Sequence, residues 1–568
     1  MNNIIKIYKN LGSDNKKIRL FIILIFISAV SEIFGIALIL PILKIILSTS
    51  EFIVINISFL NIEDLSFEKE RLLIISLILI FLFYLAKTIF LSYFNYWRAK
   101  YIFSLNEVLS NKLFKIYLNQ PYKKHLLKNS SEYTRNLIAI QNYVRNIDQA
   151  AVLITEFVIL FCFFVVLFIY EPMMTSLLSA ICLIFALTYN RKITPINSKI
   201  GKDSHESSQE LLQTINQGLF GIKDIKLYGR ENDFFQYFND KIKKFSKSLT
   251  VYEFLQPLPR ILLEFLAVIL IIVTIIILYY FDYGNDQIIV FIAMLAAIGF
   301  KLIPSINKII AGSQHLKFYL PMTNAIISEL SIDVSKEQMN KNKIDFLKNI
   351  ELKNLDYSYN KNNLILKGVN LIIKKNSTIG IIGKSGSGKT TLINILLGLL
   401  DGPIGSIKID NKIENLNNRS WQDRIGYVPQ NIYLIDDTIK KNIAFGISDE
   451  NIDNEKIIKS LKIAQIDDFV SNLPETINTQ VGENGSKLSG GQIQRLGIAR
   501  AVYNDPEILI FDEASSSLDG DTEERMINEI SKISINKTIV IVSHKKSALK
   551  YCNEIYSLED KFLIKNEK

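Results

Sequence analysis

Apolar positions fall in two regimes along the 568 residues. Through the first part of the chain they form blocks, at about 20–47, 72–97, 151–170, 173–190, 261–281 and 287–312. From Ile350 onward they form short runs broken by polar turns, then strand-like and helix-like runs that alternate. A helix needs ~20 residues to cross ~30 Å of hydrocarbon, so the first regime predicts six membrane spans. The second predicts an α/β domain with a parallel core. Between them, 328–347 is polar and charged (Ser335-Lys336-Glu337-Gln338-Met339-Asn340-Lys341) and reads as a linker or a short connecting helix. The expected organisation is a membrane α-helical domain over 1–327, that linker, and an α/β domain over 348–568.

Only Glu171-Pro172 separates the third block from the fourth, which predicts a tight hairpin. The polar stretches 98–150 and 191–259 are rich in Lys and Arg, and the positive-inside rule places them in the cytoplasm. They are then long helical extensions of the spans. The N-terminus and the α/β domain are cytoplasmic, and 48–71 is an outer loop. A hydrophobic content of 49% agrees with a multi-pass membrane chain. The net charge of +9 is moderate for this length and does not point to nucleic acid. Cys162, Cys182 and Cys552 form no CxxC pair and suggest neither a metal site nor a disulfide framework. The first apolar block is too long for a cleavable signal peptide and lacks a small-residue cleavage site.

Charges inside the spans are costly and therefore informative. At ~1.5 Å per residue, Lys87 and Lys301 lie about 21–22 Å below the outer edge, in the inner half of the bilayer. Arg260 begins the fifth span at its inner end. Lys301, Pro304, Ser305 and Lys308 follow an i, i+3, i+4, i+7 pattern and share one helix face, a polar stripe suited to a water-filled cavity. In the plainer reading Glu32 pairs with Lys87, Arg260 pairs with Glu264, and Lys308 snorkels to the surface. In the sharper one, Lys87, Arg260, Lys301 and Lys308 form a basic belt for an anionic head group. Two lysines on the stripe have no acidic partner evident in the sequence, so both readings stand.

The rest of the chain is organised around Gly383-Lys384-Ser385-Gly386-Ser387-Gly388-Lys389-Thr390. It follows a strand-like run, Thr378–Ile382, and opens a helix-like run from Thr391. This is G-x-x-x-x-G-K-[ST] in its required context, a P-loop. The glycines let backbone N–H groups wrap phosphates at the positive end of a helix. Lys389 is expected at the β- and γ-phosphates, Thr390 on Mg²⁺, and Thr391 among the nucleotide contacts.

Five further elements stand in order around it. Tyr359 can stack on an adenine ring. Gln430 ends Tyr427-Val428-Pro429-Gln430. Leu488-Ser489-Gly490-Gly491-Gln492 starts a helix whose N-terminus can meet phosphate. Ile508–Asp512 is a buried strand ending in two carboxylates: Asp512 is expected on Mg²⁺ and Glu513 on the attacking water. His544 follows the strand Thr538–Ser543 and can contact the γ-phosphate. A lone carboxylate pair or histidine would be unremarkable. All of them in this order within one domain are not.

The set resembles the ATP-binding cassette family over about 350–560, and six spans ahead of one cassette resemble its bacterial exporter half-transporters. That resemblance implies ATP and Mg²⁺ as cofactors and a homodimer with two sites. In each site, Ser489, Gly490, Gly491 and Gln492 of one subunit close over ATP held by the P-loop of the other. It places Gln430 on Mg²⁺ and the attacking water, and Ser517-Leu518-Asp519 at the dimer seam. It implies that Val481-Gly482-Glu483-Asn484-Gly485 senses the membrane helices. Segments near Tyr122–Asn129 and Gly218–Asn232 fit the helices that dock onto the cassettes.

More finely, Pro259–Glu264, Gly221–Leu227 and Phe300–Ser305 look like the membrane part of bacterial flippases for lipid-linked oligosaccharides. This implies a polyprenyl-diphosphate-linked glycan crossing the bacterial inner membrane. Rival cargoes are lipid A-type glycolipids, hydrophobic drugs and peptides. No protease-like segment precedes the first span, which weakens a peptide-processing exporter. An ATP-gated regulator that moves no substrate is a different class, and the intact Glu513 and the signature segment Leu488–Gln492 argue against it. Soluble cassette ATPases acting on DNA or ribosomes conflict with six spans.

Overall fold

The computed structural model describes residues 15–38, 52–57, 62–170, 172–280, 303–332, 343–360, 363–513, 536–543, 549–550 and 552–566. Two compact units emerge, one of Met1–Asn119 with Lys128–Asp333, the other of Gln120–Leu127 with Val334–Lys568.

The first unit is helical. Helix α1 covers Asn15–Ala37 and α2 covers Lys69–Leu118. The short α3, Tyr122–Leu127, belongs to the second unit. Helix α4 is Ser130–Tyr170, α5 Pro172–Phe220, α6 Ile222–Tyr228, α7 Glu231–Leu255 and α8 Leu258–Tyr280. Helix α9 covers 303–318 and α10 Leu320–Leu330. Neither α2 nor α4 contains Gly or Pro, so nothing interrupts either as it passes from apolar to polar sequence. The expected helical extensions are therefore continuous with their spans. Pro172 opens α5 at the first helical position, where its missing N–H costs nothing.

Among the described residues, Lys69–Leu118, Ser130–Val165 and Glu231–Val273 are long and apolar enough to cross a membrane. The expected first span is helical to Ala37 and the fourth is the start of α5. The sixth is described only from residue 303. On α2, Ile74, Ile78, Leu82 and Ile89 are exposed, as a lipid-facing surface requires. Helices α5 and α9 approach closely at Gly201, where a Cβ would lie 2.0 Å from the Phe318 carbonyl oxygen.

The stretch 48–71, expected as an outer loop, holds two strands among its described residues. Strands β1 (Phe52–Ile57) and β2 (Ile62–Glu68) form an antiparallel ribbon, registered from Phe52 opposite Glu68 to Ile57 opposite Ile62. The β-branched run Phe52-Ile53-Val54-Ile55-Asn56-Ile57 favours a strand, and its shortness between two spans hides that signal.

The second unit holds two sheets. An antiparallel sheet runs β4-β3-β6-β7, with β3 Asn349–Ser358, β4 Leu364–Lys374, β6 Ile404–Ile409 and β7 Lys412–Ile413. The larger sheet runs β12-β11-β5-β10-β9-β8. Its strands are β5 Thr378–Ile382, β8 Ile425–Val428, β9 Ile508–Asp512, β10 Thr538–Val542, β11 Glu554–Glu559 and β12 Phe562–Asn566. All pairings in it are parallel except the edge pair of β11 and β12. Strands β9 and β10 are buried throughout, which is why they read as unbroken apolar runs. Helix α11 is Lys389–Leu396, α12 Asn454–Ile463 and α13 Gly490–Val502.

The stretch read as a linker is structured at both ends. Helix α10 continues to Leu330, and Ile344 and Phe346 are 2% and 1% exposed within the core of the second unit. Their apolar side chains outweigh the polar composition around them.

Candidate nucleotide-binding site

In an open α/β sheet, ligands gather at the carboxyl ends of the parallel strands. Strands β5, β9 and β8, with β10 between β5 and β9, lie side by side, and the first three lead into residues singled out above. Strand β5 runs into the P-loop, β9 ends at Asp512 and Glu513, and β8 ends two residues before Gln430. His544, which would follow β10, lies outside the described residues, as do Ser517–Asp519.

The P-loop turns sharply into α11. Gly388 caps the helix at φ +110°, and a Cβ there would lie 3.1 Å from Ile365 and Leu366 side chains. Lys384, Ser385, Gly386 and Thr390 are exposed, and around Gly386 a Cβ would meet nothing within 4 Å. Lys389 is buried, and its Nζ donates to the carbonyls of Gly383 at 2.7 Å and Lys384 at 3.0 Å. Thr391 is buried and shares a 3.4 Å hydroxyl contact with Tyr359. The expected ring-stacking residue is thus tied to the helix that starts at the phosphate loop. Tyr359 also meets Tyr357 edge-on, with ring centres 5.4 Å apart.

The two carboxylates differ. Asp512 is 6% exposed, and burial lifts its pKa. The Glu513 charge adds to that lift, while the Tyr427 hydroxyl and the Lys389 charge oppose it. Glu513 sits at φ +50°, a left-handed conformation that costs energy in any residue but glycine. Its N–H donates to the Val542 carbonyl at 2.9 Å, which holds it there. Gln430 Nε2 donates to Glu513 Oε2 at 2.7 Å. The Tyr427 hydroxyl donates to Asp512 Oδ2 at 3.4 Å. Sequence reasoning placed Gln430 near the site but missed Tyr427, whose signal was its place on the strand that ends at Gln430.

Ser489 caps α13 in a capping box: its hydroxyl accepts from the Gln492 N–H, and its own N–H donates to Gln492 Oε1. Gly490 and Gly491 form the first turn, with Ser489 and Gly490 exposed.

The residues fit Mg²⁺ and a nucleotide triphosphate. Ser387 Oγ is buried with no protein partner, in the loop whose backbone would meet phosphate. Thr390, Asp512 and Gln430 offer hard oxygen donors of the kind Mg²⁺ takes. Among the described residues there is no cluster of three His, Cys, Asp or Glu, so the metal would rely on phosphate oxygens as well.

In the helical unit, Lys87 Nζ is 3.0 Å from Glu32 and Arg260 Nε is 2.8 Å from Glu264. Lys308 Nζ is 2.5 Å from Glu156. This corrects one expectation: Lys308 does have an acidic partner. Glu156 is an acid within the third apolar block, and a charge in a span seeks a partner. Lys301 lies outside the described residues. A cavity of about 540 Å³ in this unit is lined by Phe21, Phe94, Glu32, Arg98, Glu156 and His315 among others.

A P-loop, a carboxylate-tipped strand and a signature helix on one sheet, in a chain with membrane-spanning helices, define a membrane-coupled nucleotide-binding protein. Residues 18–301 match the ABC transporter transmembrane region and residues 366–516 match the ABC transporter family. The chain therefore belongs to the ABC transporters, with both regions in one polypeptide. It is 31% identical to the ATP-dependent lipid A-core flippase of Saccharophagus degradans, over 66% of this chain and 62% of that protein. It is 32% identical to a lactococcin-G-processing and transport ATP-binding protein of Lactococcus lactis, over 64% of this chain and 52% of the other. The chain thus matches about half to three fifths of these relatives' lengths. The fold is that of a bacterial Atm1-family ABC exporter solved with ATP bound, with a TM-score of 0.79 over 97% of this chain and 95% of that one, at 19% identity.

Proposed function

We propose that this chain is half of a homodimeric, ATP-driven exporter of the bacterial inner membrane, with its cassette in the cytoplasm. The observation that carries the ATPase reading is the pair of carboxylates at the end of β9, hydrogen-bonded by Tyr427 of β8 and by Gln430 just after it, with the P-loop lysine's charge acting on Asp512. In this reading Glu513 accepts a proton from water as that water attacks, and Gln430 orients the carboxylate. Lys389 and the P-loop amides would hold the phosphates, Tyr359 would hold the base, and Thr390 and Asp512 would hold Mg²⁺, which when bound would supply positive charge beside the phosphates. His544 assists at the γ-phosphate, and the Ser489–Gln492 segment of the second subunit completes the site.

The cargo we propose is an amphipathic anionic lipid, with a polyprenyl-diphosphate-linked oligosaccharide as the specific candidate. The motif resemblance in the membrane half supports it, as does the cavity lined by both aromatic rings and charged groups. The ion pairs sort the basic belt. Arg260 and Glu264 are 67% and 53% exposed, and such a pair is worth only ~0.3–0.5 kcal/mol, so Arg260 can exchange its carboxylate for a phosphate. Lys308 cannot leave without stranding Glu156, which is 7% exposed. By its pairing Arg260 is the most readily exchanged of the described basic residues, but it does not line that cavity; Lys308 does, and there it is held by Glu156. A lipid A-type glycolipid is the second reading, favoured by the similarity to a lipid A-core flippase.

The test is purified protein in proteoliposomes, with and without a polyprenyl-diphosphate glycan, scored for ATPase and for glycan accessibility. ATP-dependent movement that is absent in Glu513→Gln supports the reading. ATPase without movement keeps the exporter and discards the cargo. Absence of ATPase under all conditions discards both.

A further inference from the structure

Strand β8 and the turn that follows it send two side chains to the end of β9. Gln430 meets Glu513, and three residues earlier Tyr427 meets Asp512. The register explains the second contact. In the parallel pair Tyr427 lies level with Ile510. Alternate residues of a strand share a face, so Ile510 and Asp512 point to the side that Tyr427 occupies. The tyrosine ring spans the remaining step along the strand, and its hydroxyl reaches Asp512 Oδ2 at 3.4 Å. Asp512 is 6% exposed and Tyr427 half-buried, so water competes little for the contact. No other hydrogen-bond partner of the phenol occurs among the described residues.

We propose that Tyr427 is a positioning residue for Asp512: its hydroxyl fixes the carboxylate in one orientation before Mg²⁺ and nucleotide arrive. The inference rests on the ATPase reading above and adds to it a residue that touches neither metal nor nucleotide. An ionised carboxylate has two oxygens and about four lone-pair sites. The phenol takes one site and leaves the others for metal-bound water or phosphate-side donors. A carboxylate already held loses less freedom on binding, and that saving appears as metal affinity. The contact also serves Tyr427, because a buried phenol needs an acceptor. The two roles separate in measurement: a residue that only supports the strand affects nucleotide binding with and without metal alike.

The experiment uses the full-length protein in detergent, in the Glu513→Gln background so that nucleotide is not consumed. Tyr427→Phe removes the hydroxyl and keeps the ring. ATP binding is measured by calorimetry across a Mg²⁺ titration and again in chelator, and Mn²⁺ binding to the protein–ATP complex is followed by electron paramagnetic resonance. The expected result is a rise of about 3–10-fold in the Mg²⁺ and Mn²⁺ concentrations for half-saturation, with metal-free ATP binding unchanged. In Asp512→Asn the same tyrosine change is expected to shift nothing further. Equal half-saturation in the two proteins overturns the proposal, and so does an equal loss of metal-free binding. If Tyr427→Phe fails to fold, Tyr427→His, which keeps a donor, is compared with Tyr427→Met. Equal metal affinities in that pair overturn the proposal too. A parent protein that binds no ATP with Mg²⁺ removes the ATPase reading itself, whereas a normal parent with an indifferent Tyr427→Phe removes only this inference.

Discussion

Gln430 Nε2 donates to Glu513 Oε2 at 2.7 Å, so Gln430 restrains the carboxylate that we propose as the base. The restraint acts on a residue at φ +50°, which the Val542 carbonyl pins through the Glu513 N–H. Both the backbone and the carboxylate of Glu513 are therefore held from neighbouring strands. Glu513→Gln is expected to bind ATP, trap a closed dimer and lose about 10²–10⁴-fold in turnover, the usual contribution of a general base. Gln430→Ala removes one hydrogen bond to a charged group and is expected to lose roughly tenfold in turnover. Steady-state ATPase and nucleotide-trapping assays check both. Normal turnover in Glu513→Gln assigns the base elsewhere.

Lys389 is oriented by the two P-loop carbonyls it bonds, those of Gly383 and Lys384. Its charge also reaches Asp512 and opposes the burial that lifts the Asp512 pKa. Lys389→Ala removes a phosphate ligand and that charge together. Nucleotide affinity or hydrolysis is expected to fall at least tenfold, read by equilibrium binding and ATPase. Unchanged values contradict the phosphate role.

The P-loop, the strand ending in Asp512-Glu513 and the signature were legible in the sequence because each is a local signal. A glycine pattern between a strand and a helix carries its chemistry whatever surrounds it. Long apolar blocks are legible for the same reason. Pairings between distant residues were not. Lys308 and Glu156 are 152 residues apart, and no spacing rule joins them. Tyr427 could be linked to Asp512 only once β8 was known to lie beside β9 in that register. The ribbon of β1 and β2 was hidden because two short runs between spans read as a loop, and their pairing joins residues that no local period connects. Ile344 and Phe346 were hidden by polar neighbours that dominate a window average.

The Lys308–Glu156 pair predicts an asymmetric cost. Lys308 is 57% exposed, whereas Glu156 is 7% exposed and depends on its partner. Lys308→Ala strands the carboxylate, and breaking such a pair is expected to cost ~3–5 kcal/mol. Adding Glu156→Gln to Lys308→Ala is expected to recover much of that loss, since no buried charge remains. Thermal unfolding of the four proteins in detergent, read as a double-mutant cycle, checks it. A double variant no more stable than Lys308→Ala alone contradicts the pairing.

Asp410 fastens the start of the second unit's fold. Its Oδ2 accepts from the Leu347 N–H at 2.5 Å, and its Oδ1 accepts from Lys348 at 2.6 Å and Asn349 at 3.0 Å. Burial alone would raise the Asp410 pKa, but these backbone donors outweigh it and hold the carboxyl below its ordinary value. A carboxyl with a folded pKa below its unfolded one stabilises the fold above the unfolded value, ~3.9, and loses that contribution as pH falls through the folded value. Asp410→Asn keeps the left-handed backbone at φ +51°, which asparagine tolerates, but turns an amide NH₂ toward backbone donors. The variant is expected to lose about 1–2 kcal/mol near neutral pH. The gap should narrow below about pH 4, where the parent's Asp410 also becomes neutral. Unfolding midpoints of parent and variant compared from pH 7 to pH 3 check the sign: a gap that widens on acidification is the opposite of what a carboxylate held by three N–H groups produces.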